Sequence, residues 1–285
     1  MTDREALQWW PAPAKLNLFL HITARRADGY HELQTIFQLI DLQDSLAFEV
    51  TAEPSIERAT PIAQIAAEAD LCVRAALALQ RATGARRGAR VHLRKRIPLG
   101  GGLGGGSSDA ATTLLVLNKL WETGLNFADL AAIGAELGAD VPIFVHGRSA
   151  WAEGVGERLT PLQLPPRWFL VLDPGVSIST RDVFQAPELT RNSPPITMRG
   201  FFESGARNDC EHVVRSRYPA VADALDWLVA HGAPQARLTG TGACVFAAFE
   251  TAIEAERVAA RVPDLWSARV AVGLDRSPLH TALFG

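Results

Sequence analysis

Pro98-Leu-Gly-Gly-Gly-Leu-Gly-Gly-Gly-Ser-Ser108 runs directly into an almost wholly apolar segment, Ala110 to Leu120. Six of the seven residues from Gly100 to Gly106 are glycine, too many for an ordinary turn. Residues without a Cβ reach positive φ and let a ligand approach the backbone. When such a loop enters a helix, the free N–H groups and the helix dipole together form an anion site. Ser107 and Ser108 add hydroxyls at the helix start, able to cap it or to meet a phosphate or its metal. The bland alternative, a flexible linker, fits poorly, because a strand and an apolar helix flank the loop rather than polar spacer.

Three common phosphate-binding patterns do not fit. A P-loop needs GxxxxGK[ST], and no Lys follows these glycines. Gly100, Gly102 and Gly105 spell GxGxxG, but a dinucleotide fingerprint follows a fully buried parallel strand, and this strand carries Arg94, Lys95 and Arg96. The HRD and DFG elements of protein kinases are absent. The basic residues Arg86, Arg87, Arg90, Arg94, Lys95 and Arg96 precede the loop and predict a positive local field for a polyanion. A solvated strand face is the plainer reading of each.

Upstream, Ala14, Leu16, Leu18, Leu20 and Ile22 alternate with Lys15, Asn17, Phe19 and His21. This predicts a strand with one apolar and one mostly polar face, Lys15 and Asn17 pointing the same way. Ala27-Asp28-Gly29 is a turn signal, followed by Tyr30, His31 and apolar residues from Gln34 to Ile40. A separate strand is expected at 46–51, a helix over 63–82 ending near Gly84, and a half-exposed strand over Val91–Ile97. A helix over Phe127–Leu137 ends at Gly138, expected to be a left-handed cap. Further on come a strand over Trp168–Leu172, an amphipathic helix over Ala220–Ala230, and two strands around Gly240-Thr-Gly242. Strands and helices arrive in groups without a regular βαβ beat, which predicts α+β. Pro161, Pro165 and Pro166 mark the expected boundary between domains 1–160 and 161–285.

Composition narrows the class. The chain has 285 residues, 48% hydrophobic and 21% charged, enough for about two packed domains and too apolar for disorder. No run approaches the roughly 20 apolar residues of a membrane span, and the acidic start MTDREALQWW does not resemble a signal peptide. Cys72, Cys210 and Cys244 are too few and too dispersed for a disulfide framework or a CxxC metal knot. A reducing, cytoplasmic compartment is expected, and a net charge of −3 gives no reason to expect nucleic acid. Only Lys15, Lys95 and Lys119 among the 28 basic side chains are Lys. Codon bias explains such a skew, but a Lys surviving it also suits a position that needs a compact ammonium.

The glycine loop resembles the central motif of the GHMP kinase superfamily. Pro13-Ala-Lys-Leu-Asn-Leu-Phe-Leu20, Arg26-Ala-Asp-Gly-Tyr-His-Glu32, Gly138-Ala-Asp-Val-Pro-Ile-Phe144, Asp173-Pro-Gly-Val-Ser-Ile-Ser-Thr180 and Leu238-Thr-Gly-Thr-Gly-Ala-Cys-Val-Phe246 are similar, in order, to the branch that phosphorylates 4-diphosphocytidyl-2-C-methyl-D-erythritol. The resemblance spans residues 13 to about 246. It implies a two-domain GHMP kinase fold with the active site in the inter-domain cleft. It implies ATP-dependent phosphorylation of the 2-hydroxyl of that sugar alcohol, on the non-mevalonate route to isoprenoid precursors.

By the same resemblance, Lys15 and Asp140 are the catalytic pair, and Tyr30, His31, Thr180 and Phe184 hold the cytidine diphosphate substrate; Asn17, on the Lys15 face of its strand, is expected in the same substrate pocket. ATP would lie along Pro98, Leu99, Gly100, Gly101, Gly102, Leu103, Gly104, Gly105, Gly106, Ser107 and Ser108. Mg²⁺ is implied, with no protein ligand assigned. The family usually carries Asn where this chain has Asp70, near the expected adenine side, and Asp accepts hydrogen bonds but does not donate them. On the residues alone, Asp140 also suits a helix N-cap, Lys15 a snorkelling surface cation, Tyr30 and His31 loop packing, and Phe184 a core aromatic. The rivals are another GHMP-type kinase, acting on mevalonate or homoserine, and a non-catalytic nucleotide sensor.

Overall fold

The apolar–polar alternation after Trp10 forms β1 (Trp10–Arg25), which pairs antiparallel with β2 (His31–Thr51) across the 26–30 turn. Both faces of β1 are covered, so its polar side chains are enclosed rather than solvated: Lys15, Asn17 and His21 are buried along with Leu16 and Ile22. The two strands expected at Gln34–Ile40 and 46–51 are one strand of 21 residues. The polar interval Asp41–Ser45 reads as a break, but Asp44 is fully buried and accepts hydrogen bonds from the backbone N–H groups of Arg96 and Ile97. A register shift opposite Pro13 and Ala14 absorbs the irregularity.

The computed structural model describes residues 7–62, 65–205 and 207–285. β3 (Ile56–Arg58) runs parallel to β4 (Gly88–Arg94). Between them α1 (Leu71–Thr83) starts at the side-chain cap Asp70 and ends at left-handed Gly84, shorter than the expected 63–82; Ala63 and Gln64 lie outside the described residues. Then follow α2 (Gly105–Leu120), α3 (Phe127–Leu137), α4 (Val141–His146), β5 (Ala150–Gly154), β6 (Arg158–Pro161) and β7 (Trp168–Asp173). Gly138, expected to be left-handed, has φ 178°, which is extended backbone; the chain turns at 138–141 instead, Val141 N–H donating to the Gly138 carbonyl.

The second half adds α5 (Thr180–Gln185), α6 (Met198–Ser204), α7 (Glu211–Arg217), α8 (Pro219–Ala230), β8 (Arg237–Leu238), β9 (Val245–Phe249), α9 (Ala252–Ala259), β10 (Ser267–Leu274) and α10 (Pro278–Phe284). β10 hydrogen-bonds to β2 on one side and β7 on the other, so one sheet, ordered β3-β4-β2-β10-β7-β9-β8, runs through both halves. Strands and helices segregate as an α+β fold requires.

One core is built from α1, α2 and α4 and includes Leu79, Leu114 and Val145; α10 returns to it through Leu279 and Leu283. A second core gathers Leu170, Leu172, Val213, Leu225 and Val245. Between them Leu16, Ile97 and Leu103 pack with Val171, Cys244 and Phe246. This middle cluster anchors the glycine loop. Lys15 N–H donates to Leu103 O, and the N–H groups of Ala243 and Cys244 donate to the carbonyls of Gly100 and Gly101. The loop is thereby strung between β1 and the 239–244 segment.

Candidate active site

The cleft between the two halves holds a cavity of about 940 Å³. Lys15, Asn17, Tyr30, His31, Gly102, Ser107, Asp140, Thr180 and Phe184 all line it, although they come from five separate stretches of sequence. β1 places Lys15 and Asn17 two residues apart on one face, as the alternation predicts. The 26–30 turn, closed by Arg26 N–H to Tyr30 O and Tyr30 N–H to Asp28 Oδ1, presents Tyr30 at 64% exposure at the mouth. The Ser179-capped α5 brings Thr180 and Phe184 from the opposite half.

Lys15 is only 2% exposed. Its ammonium meets Asn17 Oδ1 at 2.5 Å, the Gly102 carbonyl at 3.0 Å and Asp140 Oδ2 at 3.2 Å, with the Phe37 ring centroid 5.3 Å away. Three acceptors from three elements use the three N–H bonds of one ammonium. The snorkelling-cation alternative is excluded by this burial. Asp140 stands immediately before α4, at its N-cap position, but its side chain makes no capping hydrogen bond. Its side chain is 33% exposed, leaving the carboxylate reachable from the cavity.

Asn17 faces inward: Oδ1 accepts from Lys15 and Nδ2 donates to Thr35 Oγ1. Thr35 in turn donates to the Phe19 carbonyl. At the far end the His31 and Phe184 rings stack with centroids 5.2 Å apart and an interplanar angle of 22°. Thr180 Oγ1 lies 2.9 Å from Thr241 Oγ1.

The loop residues divide. Gly100, Gly102 and Gly104 have φ between 68° and 74°, as glycine allows. However, a Cβ on Gly102 would lie 2.2 Å from the Thr239 carbonyl, and one on Gly104 would lie 2.9 Å from Phe144 and 3.1 Å from Lys15 Cε. The glycines are therefore demanded first by the protein's own packing, not only by a ligand's approach. Gly105 and Gly106 already belong to α2, which starts earlier than expected. Ser107 lines the cavity, whereas Ser108 is fully buried with an unpartnered hydroxyl.

The basic segment before the loop is neutralised only in part, at Arg90 and Lys95. Arg90 pairs with Glu49 and Glu57, Arg94 lies 3.7 Å over the Trp9 ring, and Lys95 is held between Asp44 at 2.5 Å and Asp109 at 2.9 Å. Burial pushes the Asp109 carboxyl up to about 7, with Lys95 pulling the other way. Asp70 is also engaged: it caps α1 through Cys72 N–H at 2.8 Å and pairs with Arg58 at 3.0 Å, both side chains buried. Its carboxylate thus serves a structural cation, which a neutral Asn would not.

Sequence reasoning missed Arg191, Gly240 and Thr241, which also line the cavity. The Gly240-Thr-Gly242 motif was a signal for the last two. Arg191 carried none, being one Arg among many.

Comparison with known proteins identifies the family and the fold. The family model described as GHMP kinases N terminal domain matches residues 70–148, and GHMP kinases C terminal matches residues 186–268. The 4-diphosphocytidyl-2-C-methyl-D-erythritol kinase of Halorhodospira halophila is 57% identical over 96% of this chain and 96% of its own. That of Nitrosococcus oceani is 56% identical over 96% and 97%. The chain belongs to the 4-diphosphocytidyl-2-C-methyl-D-erythritol kinase family. A crystal structure of a 4-(cytidine 5'-diphospho)-2C-methyl-D-erythritol kinase superposes on it with a TM-score of 0.81 at 35% identity, covering 93% of this chain and 99% of that one. Homoserine kinase from Cytophaga hutchinsonii, TM-score 0.70 at 15% identity, shares the fold. This member is accordingly a small-molecule kinase of the GHMP fold. Among the described residues no helix is long and apolar enough to cross a membrane.

Proposed function

We infer that this kinase transfers the γ-phosphoryl group of ATP to the 2-hydroxyl of 4-diphosphocytidyl-2-C-methyl-D-erythritol, giving the 2-phosphate and ADP. The observation that carries the reading is one cavity with a Lys15–Asp140 pair at one end and a His31–Phe184 ring stack at the other. The first suits phosphoryl transfer to an alcohol, the second a nucleobase. Mevalonate and homoserine carry no base for the second end to hold.

Phosphoryl transfer asks the protein mainly for positioning and charge stabilisation. Asp140 takes the proton of the 2-hydroxyl as its oxygen bonds to the γ-phosphorus and the bond to the β-phosphate oxygen breaks. Lys15, held by Asn17 and Gly102, fixes the carboxylate through Oδ2 and places a cation beside the incoming oxygen. The start of α2 presents free N–H groups and the positive end of a 16-residue helix, where the phosphates of ATP would lie. Asn17 acts through Lys15; Tyr30, His31, Thr180 and Phe184 hold the cytidine diphosphate end.

Among the described residues no three His, Cys, Asp or Glu side chains form a metal cage. Mg²⁺, when bound, would be held mainly through substrate phosphates and waters, with one or two protein oxygens. Ser107, whose side chain makes no hydrogen bond among the described residues, is the oxygen we assign to it; the ion supplies neutralising charge on the phosphates. We keep the division into a nucleotide-binding half, 1–160, and a substrate-binding half, 161–285, with α10 returning to the first. The test is ATP turnover against diphosphocytidyl-methylerythritol, mevalonate and homoserine. Turnover with the cytidine compound alone is expected; turnover with either of the others, or with none, overturns the reading.

A further inference from the structure

Arg191 follows α5 and lies at the base end of the cavity, where four acceptors surround its guanidinium. Nη1 donates to the Leu189 carbonyl at 3.0 Å, and Nη2 donates to the carbonyls of Phe184 and Ala186 at 3.0 and 2.7 Å. A further donor, Nε, points at His31 Nε2, 3.2 Å away. A guanidinium donates and never accepts. His31 Nε2 must therefore offer its lone pair, and the single proton of the neutral imidazole must sit on Nδ1.

A second proton is opposed as well. Burial and the Arg191 charge, with a smaller contribution from Arg25, hold the His31 pKa below its ordinary value. Nδ1 has no hydrogen-bond partner among the described residues, and it is not one of the sealed, unpartnered buried atoms. Because His31 lines the cavity, that N–H is open to a ligand.

We propose that Arg191 is a specificity-determining positioning residue: by locking His31 as the Nδ1–H tautomer it makes this end of the cavity select cytosine over uracil. The proposal rests on the reading that a cytidine diphosphate compound is the substrate. The bases differ at ring position 3, where cytosine has a bare nitrogen that accepts and uracil an N–H that donates. A histidine free to exchange tautomers would serve either base by moving its proton. One pinned through Nε2 can only donate, so uracil would bring two N–H groups face to face. Sites that hydrogen-bond one substrate and leave the analogue's polar groups unpaired discriminate by large factors.

Two measurements test this. The first is ¹⁵N NMR of the histidines in the unliganded wild-type enzyme at pH 7, the His31 signals assigned by comparison with His31→Asn. An Nδ1–H tautomer is expected; an Nε2–H tautomer or an imidazolium overturns the proposal. The second is kcat/KM for diphosphocytidyl-methylerythritol and for its uridine counterpart, in wild type and in Arg191→Met. The wild type should prefer the cytidine compound by at least about 100-fold, and Arg191→Met should shrink that ratio by at least about tenfold, mainly through KM. Loosening of α5 alone would weaken both substrates equally and leave the ratio unmoved, which would overturn the proposal. Equal use of both compounds by the wild type would sink the selectivity while leaving the kinase reading intact. No turnover of the cytidine compound would instead sink the kinase reading and the selectivity with it, while the tautomer result would stand separately.

Discussion

Replacing Lys15 by Arg keeps the charge and changes only the shape that delivers it. Around Lys15, Asn17 Oδ1, Gly102 O and Asp140 Oδ2 converge within 2.5–3.2 Å of a single nitrogen. A planar guanidinium spreads its donors over three nitrogens and cannot reproduce that convergence. It is also larger, and the site has no slack: a Cβ built on Gly104 already lies 3.1 Å from Lys15 Cε. Two costs follow. Overpacking a filled buried site costs about 1–3 kcal/mol, so Tm should fall by a few degrees. A guanidinium that reaches Asp140 would bind it side-on through both oxygens, leaving the carboxylate badly placed for the proton of the substrate hydroxyl. Activity should fall at least about tenfold, an activation penalty of roughly 1.4 kcal/mol. The assay is steady-state kinetics at saturating ATP, with thermal denaturation of the same preparation. A Lys15→Arg enzyme with wild-type kcat would refute the reasoning, showing that diffuse positive charge is all the site requires.

Asp140→Asn should lower kcat by about 10²-fold or more while both KM values move only a few-fold; it also takes the carboxylate from the buried Lys15, so Tm should fall, and kcat within threefold of wild type would end its assignment as base. Gly104→Ala, strained at φ 71° and pressed against Phe144 and Lys15, should lower kcat and Tm together rather than weaken ATP binding alone, as paired calorimetry and kinetics would reveal. Asp70→Asn preserves the cap to Cys72 N–H but strips the buried Arg58 of its carboxylate; a loss of about 3–5 kcal/mol by urea denaturation is expected, with the ATP-to-GTP preference unchanged. Asp109 is raised to about 7 in the folded protein from the ordinary 3.8, so between those values the folded state binds more protons than the unfolded one. Its contribution to stability is full below about 4 and lost as pH rises through about 7; Asp109→Asn should remove that slope, and denaturation curves whose pH dependence matches wild type would contradict it.

How far the site could be read in advance depended on whether a residue's partner was local in sequence. Lys15 and Asn17 were legible as neighbours because strand geometry alone puts i and i+2 on one face. The pairing of Lys15 with Asp140 needed family resemblance, since no local rule links β1 to the start of α4. Asp41–Ser45 looked like a break because polarity usually marks an exposed turn; burying Asp44 became tolerable through two backbone N–H groups of residues 96–97 and Lys95, all about fifty positions away. Gly138 fitted a left-handed cap, but Gly138 itself is extended and the turn that follows it is made with Asp140 in the right-handed region. Arg191 left no trace because its role lies in where four acceptors happen to meet.

The lysine bias is the subtler case, because its cause is genomic or chemical and composition alone does not separate the two. In the folded chain all three ammonium groups are engaged. Lys15 serves three acceptors, Lys95 two carboxylates, and Lys119 the Leu283 carbonyl at 2.9 Å, which ties α2 to the last turn of α10. The first two are sites where acceptors from different elements close on one point, and a compact, freely rotating –NH₃⁺ satisfies that where a rigid fork does not. Lys119 meets a single carbonyl, a contact an Arg could also make. The chemical explanation therefore holds in proportion to convergence: strongest at Lys15, strong at Lys95, weak at Lys119. It follows that Lys119→Arg should be nearly silent in both kcat and Tm under the conditions in which Lys15→Arg is not, and a Lys119→Arg enzyme as damaged as Lys15→Arg would mean that convergence is not what retains lysine in this chain.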